Sequence, residues 1–334
     1  MLGFRIAIVG VTGLVGQTLL EVLEDYEVPI DILVPLAREN RDRSVTFRGT
    51  AFPVEPLDHM DWRRVDVAFF AAGNPVSEEY APKAVAAGVT VIDKSSRFRM
   101  DPSVPLVVPE VNGAAIGDSG LIASPNCSTI QLVIALSPLA HRFGLERVLV
   151  STYQAVSGTG REAVDELEQQ MTSTLRGEPA LAHVYPVPIL HNVLPYCDSF
   201  GDLDFTGEEW KLIRETSKIL GQPLRLSATA VRVPVYVGHA ESVYVETAKP
   251  WQLEDIREAL REAPLVRLMD NPSEGLVPTP LAAAGQDEVL VGRIRRDPHE
   301  EKGLHLFVVA DNLRRGAATN AVAIMQYVSQ RWLS

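Results

Sequence analysis

Arg5-Ile6-Ala7-Ile8-Val9-Gly10-Val11-Thr12-Gly13-Leu14-Val15-Gly16 decides the first half of the fold. Arg5 to Val9 reads as a buried strand, and a helix carrying Leu19, Leu20, Val22 and Leu23 follows the glycines at once. Glycines three apart between strand and helix let the backbone approach a pyrophosphate, which then rests on the helix N-terminus. The usual fingerprint is G-x-G-x-x-G and this one is G-x-x-G-x-x-G, so a tight turn serving packing alone is the competing reading. The strand-turn-helix setting favours the dinucleotide site.

Working outward, Ile30 to Val34 is a second strand, and Arg38 stands beyond its end. A carboxylate there would hold a ribose 2′-hydroxyl, whereas a guanidinium suits a 2′-phosphate, so Arg38 points to NADP. Glu39 beside it and the alternative of a solvated loop arginine weigh the other way. Val65 to Phe70 and Val89 to Asp93 read as further strands, with a helix from Glu78 to Ala87 between them. Leu106 to Val111 and Leu121 to Ala123 read as strands after that. Strands alternating with helices predict βαβ units and a mostly parallel sheet.

The last of these strands runs into Ser124-Pro125-Asn126-Cys127-Ser128-Thr129, and apolar residues at Ile130, Val133, Ile134 and Leu136 have helical spacing. Cys127 therefore falls in a first helical turn, where unpaired N–H groups and the positive dipole end favour a thiolate. The alternative is a small buried hydrophobe.

Beyond that helix the pattern changes. Arg147 to Val156 is long and β-rich, a polar helix spans Arg161 to Leu175, and Gly177 to Asp204 is interrupted by prolines. Thr206 to Glu209 has the form of a capping box before a helix from Trp210 to Leu220. Strand patterns at Arg225–Val233, Ser242–Thr247, Val289–Ile294 and His305–Val309, with a helix from Leu253 to Ala263, predict a mixed or antiparallel sheet. The expected organisation is an α/β dinucleotide-binding domain over residues 1–127, to which a C-terminal helix of about 313–334 returns. An α+β domain with a mixed sheet occupies 128–312.

The 334 residues suffice for two cores, and 46% hydrophobic with 22% charged residues is an ordinary globular balance. A formal charge of −12 disfavours nucleic acid as a partner. No apolar run reaches the length of a membrane span. Two cysteines, Cys127 and Cys197, give neither a disulfide framework nor a metal-ligand spacing, so a cytoplasmic location is expected.

The block around Cys127, followed by Ser151-Thr152-Tyr153-Gln154-Ala155-Val156-Ser157-Gly158, resembles the aspartate-semialdehyde dehydrogenase family. The resemblance runs end to end through Phe98-Arg99, Val107 to Asn112, Glu208 to Lys211, Arg232 to Val235, His239 to Ser242, Gly292 to Arg295 and Asp311 to Leu313. It implies a Rossmann-type domain and a catalytic, dimerisation domain. It further implies NADPH-dependent reduction of aspartyl 4-phosphate to aspartate 4-semialdehyde and phosphate in lysine, threonine and methionine synthesis, by a homodimer without metal. By the same resemblance Cys127 is the thioester-forming nucleophile and His239 the acid/base. Arg99 and Lys211 bind phosphate, Arg232 binds the substrate carboxylate, and Asn126, Gln154 and Glu208 position substrate. Gly10, Val11, Thr12, Gly13, Arg38, Ser157, Gly158 and Asn312 are the implied cofactor contacts. Lys94, where the family often has asparagine, and Leu36-Ala37 before Arg38, where it often has a serine, depart from the pattern.

Without the resemblance, Lys211 equally suits an ion-pair ladder with Glu208 and Glu215. His239 would equally serve as a structural histidine. Arg232 and His239 are seven positions apart, an offset that puts them on opposite faces of an unbroken strand, so Pro234 and Gly238 are expected to break it. A phosphorylating reductase of the N-acetyl-glutamyl-phosphate type fits the cysteine block poorly. A catalytically silent relative has no chemical reason to retain Cys127, Gln154, Arg232 and His239 together.

Overall fold

A computed structural model of the chain describes residues 3–38 and 43–332, the side chains of the last two excepted. The chain forms two compact units, one of residues 1–126 with 317–334 and one of residues 127–316.

In the first unit β1 (Phe4–Val9) leads into α1 (Leu14–Asp25), then β2 (Ile30–Ala37). A hairpin of β3 (Ser44–Phe47) and β4 (Thr50–Pro53) and a short β5 (Glu55–Pro56) follow. Next come β6 (Val67–Phe70), α2 (Asn74–Ala86), β7 (Thr90–Asp93), a short α3 (Pro109–Asn112) and β8 (Leu121–Ala123). The six-stranded sheet is ordered β5-β2-β1-β6-β7-β8 and every pairing in it is parallel. Residues of β1, β6 and α1, including Ile6, Ile8, Leu19, Leu23 and Phe69, are wholly or almost wholly buried in its core. Continuous apolar strands of this kind follow from helices covering both sheet faces.

Leu106 to Val111 depart from the expected strand. Leu106 makes a single bridge to Ala123, and Pro109 opens α3 instead. Proline lacks the ladder N–H and suits the first helical turn. Asn112 then takes backbone groups a strand would use: its Oδ1 accepts from Val108 N (2.9 Å) and its Nδ2 donates to Leu106 O (2.9 Å).

The second unit begins with α4 (Cys127–Phe143), β9 (Leu145–Gln154) and α5 (Arg161–Leu175). Residues 177–204 then run irregularly, and α5 supplies the partners their backbone requires. Glu166 accepts from the N–H groups of His183 and Val184, and Gln170 Oε1 accepts from Ile189 N (3.1 Å) and Leu190 N (2.9 Å). The Thr206–Glu209 capping box opens α6 (Gly207–Leu220) as the sequence predicts. β10 (Arg225–Arg232), β11 (His239–Thr247), α7 (Leu253–Glu262), β12 (Val266–Leu268), a short α8 (Pro280–Ala283), β13 (Val289–Arg296) and β14 (Gly303–Ala310) complete the unit. Its six strands are ordered β10-β9-β11-β14-β13-β12 in a mixed sheet. The last helix, α9 (Thr319–Trp332), returns to the first unit, where Ala321, Val322, Ile324 and Met325 join the core. Among the described residues no helix is long and apolar enough to cross a membrane.

Candidate functional site

Three residues of the second unit lie in one row across neighbouring strand ends. Arg232 ends β10 and is the parallel register partner of Gln154, which ends β9. β11 runs antiparallel to β9 with Ala240 opposite Tyr153, so His239, at its start, adjoins Gln154. Arg232 stands in this row as the last residue of its strand; the chain then turns through residues 233–238, with Gly238 at φ 98°, before β11 begins and brings in His239. The break expected between Arg232 and His239 is present. A side chain at Gly158 would lie 2.9 Å from Arg232 Nη1 and 3.0 Å from His239 Nε2, so only a glycine lets both approach there.

His239 is fully buried, and its Nδ1 accepts a hydrogen bond from Ala155 N at 3.1 Å. An accepting Nδ1 leaves the neutral ring's proton on Nε2, which has no hydrogen-bond partner among the described residues. Burial, then the Arg232 guanidinium, hold the imidazole well below the ordinary value of 6.5, with the Gly238 backbone opposing. A depressed value gives stability that is present above pH 6.5 and is lost as pH falls through the folded value. Arg232, also buried, donates from Nη1 to Ala155 O at 2.7 Å. Asn312 closes the row from beyond β14: its Oδ1 accepts from Gly238 N at 2.8 Å, and its Nδ2 donates to Ser157 Oγ at 2.9 Å.

Cys127 is the first residue of α4 and is partly exposed. Gly316 lies against it: a Cβ there would come within 2.9 Å of the Cys127 Cβ. Gly316 belongs to a π-helical turn, Arg314–Ala318, of the kind often found at functional sites. Cys197 is the opposite case, a buried thiol pushed up to about 12 by desolvation. Arg232 opposes that rise, while Glu208 and Cys127 add to it.

From Gln154 a polar chain runs outward. Gln154 Nε2 donates to Thr152 Oγ1 (3.2 Å) and Glu208 Oε1 (3.2 Å), and Lys211 Nζ donates to Glu208 Oε2 (3.2 Å) and Asp198 Oδ2 (2.8 Å). Desolvation depresses the Lys211 ammonium, but Glu208 and Asp198 outweigh it and hold the group above its usual value. The ion pair with Glu208 is thus as the spacing allows, while Asp198 lies in the irregular segment, where no periodicity marks it.

In the first unit, Gly10 has φ 86° and a Cβ there would sit 2.7 Å from Ala71 O; at Gly16 one would sit 2.4 Å from Gly10 O. Both glycines are required by close backbone approach. The N–H groups of Gly10 and Val11 are bonded to Leu36 O at 2.9 and 3.3 Å, and Thr12 and Gly13 are the exposed tip of the turn. That tip lies between β1 and the start of α1, the place in a strand-turn-helix unit where a pyrophosphate could rest on the helix N-terminus. Arg38 is exposed at the carboxyl end of β2, while Glu39, Asn40 and Arg41 lie outside the described residues. Lys94 Nζ donates to Ser124 Oγ (2.9 Å) and Pro125 O (3.4 Å), so it braces the segment ahead of buried Asn126. Arg99 is buried and donates from Nη2 to Lys94 O at 2.6 Å.

Comparison with known proteins bears on the family and the fold. Residues 5–119 match the model of the semialdehyde dehydrogenase NAD binding domain, and residues 136–315 that of the semialdehyde dehydrogenase dimerisation domain. The chain is 48% identical to the aspartate-semialdehyde dehydrogenase of Aquifex aeolicus, over 99% of this chain and all of that one. It is 46% identical to that of Bacillus subtilis over 97% of each. A crystal structure of Vibrio cholerae aspartate semialdehyde dehydrogenase II, complexed with ASA, superposes with a TM-score of 0.96 at 43% identity over 99% of both chains. Both domain models and the full-length identity to these relatives show that the chain belongs to the aspartate-semialdehyde dehydrogenase family.

Proposed function

We propose that this protein catalyses the reversible, NADPH-dependent reduction of L-aspartyl 4-phosphate to L-aspartate 4-semialdehyde and phosphate, the step shared by lysine, threonine and methionine synthesis. The supporting observation is the row of Gln154, Arg232 and His239 in the unit whose first residue is Cys127. Cys127, its thiolate favoured at a helix start, attacks the acyl carbon; a C–S bond forms, the C–O bond to phosphate breaks and a thioester results. The nicotinamide cofactor, when bound, supplies hydride to that carbon. The oxyanion left on the thiohemiacetal accepts a hydrogen bond from the Nε2–H of His239, the one ring position that Ala155 leaves to the reaction, and the proton stays on the ring. Collapse breaks the C–S bond, releases the semialdehyde and restores the thiolate.

Arg232 takes the substrate's α-carboxylate as a planar fork, and Gln154, Asn126 and Glu208 position the chain between the two anionic ends. Arg99 is assigned to the phosphate, and so is Lys211. Gly10, Val11, Thr12, Gly13, Arg38, Ser157, Gly158 and Asn312 are assigned to the cofactor, with Ser157 and Asn312 locked to one another at 2.9 Å. The unit matching the dimerisation domain forms the contact of a homodimer, and the cytoplasm keeps the thiol reduced. The test is NADP⁺ reduction by purified protein with aspartate semialdehyde, with and without phosphate. Turnover requiring both is expected, and turnover indifferent to phosphate overturns the phosphorylating reaction.

Cofactor choice has its own test. Arg38 stands where a ribose 2′-substituent would lie, so Arg38→Ala is expected to raise the KM for NADP far more than that for NAD. Loss of one charge-assisted contact amounts to about 1.5–3 kcal/mol, roughly ten- to over a hundred-fold. Equal changes in the two KM values would show that Arg38 does not read the phosphate.

A further inference from the structure

Glu241 is a fully buried carboxyl that the reaction does not use. It stands two residues beyond His239 on β11 and so shares that residue's sheet face. Fully buried Gln131 stands four residues beyond Cys127 on α4 and so shares that residue's helix face. Helix α4 packs on β11, and the Gln131 amide bears on the Glu241 carboxyl. Among the described residues neither oxygen of Glu241, and neither polar atom of Gln131, closes a hydrogen bond of ordinary geometry. The register partners of Glu241 are Thr152 on β9 and Val308 on β14, so neither neighbouring strand offers a cation.

We propose that Glu241 is held as the neutral carboxylic acid and forms with Gln131 a buried positioning pair that fixes α4 on β11, and with it Cys127 relative to His239. This rests on the thioester reading given above. An ionised carboxylate in this place would be a buried charge with no counter-ion, the most costly state available to it. Protonated, it has one O–H to donate to the Gln131 amide oxygen and one carbonyl to accept from the amide nitrogen, which satisfies all four orphaned atoms at once. Burial indeed pushes this carboxyl well above the ordinary 4.5, opposed by the Gln131 amide. Glu241 does not act by orienting the imidazole in the manner of a catalytic triad, because His239 Nδ1 is already taken by Ala155 N–H. Its effect reaches the reaction through the seating of the helix that carries the nucleophile.

Infrared difference spectra of the full-length protein at neutral pH, wild type against Glu241→Gln, should show the carbonyl band of a protonated carboxylic acid that the substitution removes. Absence of that band overturns the neutral-acid assignment, and it does so whether or not the protein turns over semialdehyde. In kinetics, Glu241→Gln keeps a donor and an acceptor, and kcat is expected within about threefold of wild type. Glu241→Leu loses both, and kcat should fall about tenfold or more while the KM for semialdehyde changes by less than about twofold, the signature of a misplaced nucleophile. Should the leucine variant fail to fold, Gln131→Leu removes the same pair from the other side and carries the same expectation. A folded Glu241→Leu or Gln131→Leu protein with wild-type kcat overturns the positioning role. So does a Glu241→Gln variant as impaired as Glu241→Leu. Loss of semialdehyde turnover in the wild type itself would instead strike the thioester reading.

Discussion

Cys127→Ser is expected to lower kcat by roughly four orders of magnitude, because a hydroxyl is neither ionised near neutral pH nor able to leave as readily as a thiolate. The thiol differs in both respects, and its place makes the difference larger. As the first residue of α4, Cys127 meets the positive end of a seventeen-residue helix. Serine fits the same space, and the Gly316 backbone that lies against the Cβ is undisturbed by the exchange. The loss should therefore appear in the chemical step and not in folding. NADP binding is expected to persist, since the glycine turn of the first unit is separate from this helix. Stopped-flow mixing with acyl phosphate would add a second reading, in which wild type releases a burst of phosphate as the thioester forms and Cys127→Ser gives none. A serine variant retaining more than a few per cent of wild-type kcat would rule out the thioester route.

Much of this arrangement was legible in the chain. The βαβ alternation of the first unit reads directly, since buried parallel strands are near-continuous apolar runs and the intervening helices carry their own period. The capping box before α6 is local chemistry, and it is formed as written. Proline at position 109 was harder to read, because the apolar run Leu106 to Val111 has strand composition while Asn112 diverts its backbone groups. The hairpin β3–β4 and the short β5 and β12 carry too few residues to show a period. At the site, spacing along the chain says nothing of register across the sheet, and it is register that brings Gln154 beside Arg232 and His239. Asp198 falls in an irregular segment and has no pattern at all. Glu241 did leave a signal, a charge two residues from a histidine on a strand otherwise alternating toward the core.

Arg232→Lys and Lys211→Ala should separate the two anion subsites, because the residues are held in different ways. Arg232 is buried, and one arm of its guanidinium is spent on Ala155 O at 2.7 Å. A planar fork can keep that bond and still present further N–H groups to a carboxylate, which a lysine ammonium on a flexible stem cannot do in the same geometry. Arg232→Lys preserves charge, so binding should weaken moderately while orientation is lost. We expect kcat to fall about a hundredfold and the semialdehyde KM to rise about tenfold, with the phosphate KM changed by less than about twofold. Lys211 is instead a largely covered point charge between Glu208 and Asp198, its side chain 26% exposed. Its removal leaves those two carboxylates facing any incoming anion with no cation between them. Lys211→Ala should accordingly raise the phosphate KM about tenfold or more, with the larger part of the change arising from uncompensated repulsion. Lys211→Ala with Glu208→Gln would then recover part of that loss, which a simple missing contact would not allow. Steady-state rates with each substrate varied in turn decide between the subsites. If Arg232→Lys raised the phosphate KM more than the semialdehyde KM, the carboxylate would have to be held elsewhere and the guanidinium reassigned to the phosphoryl end.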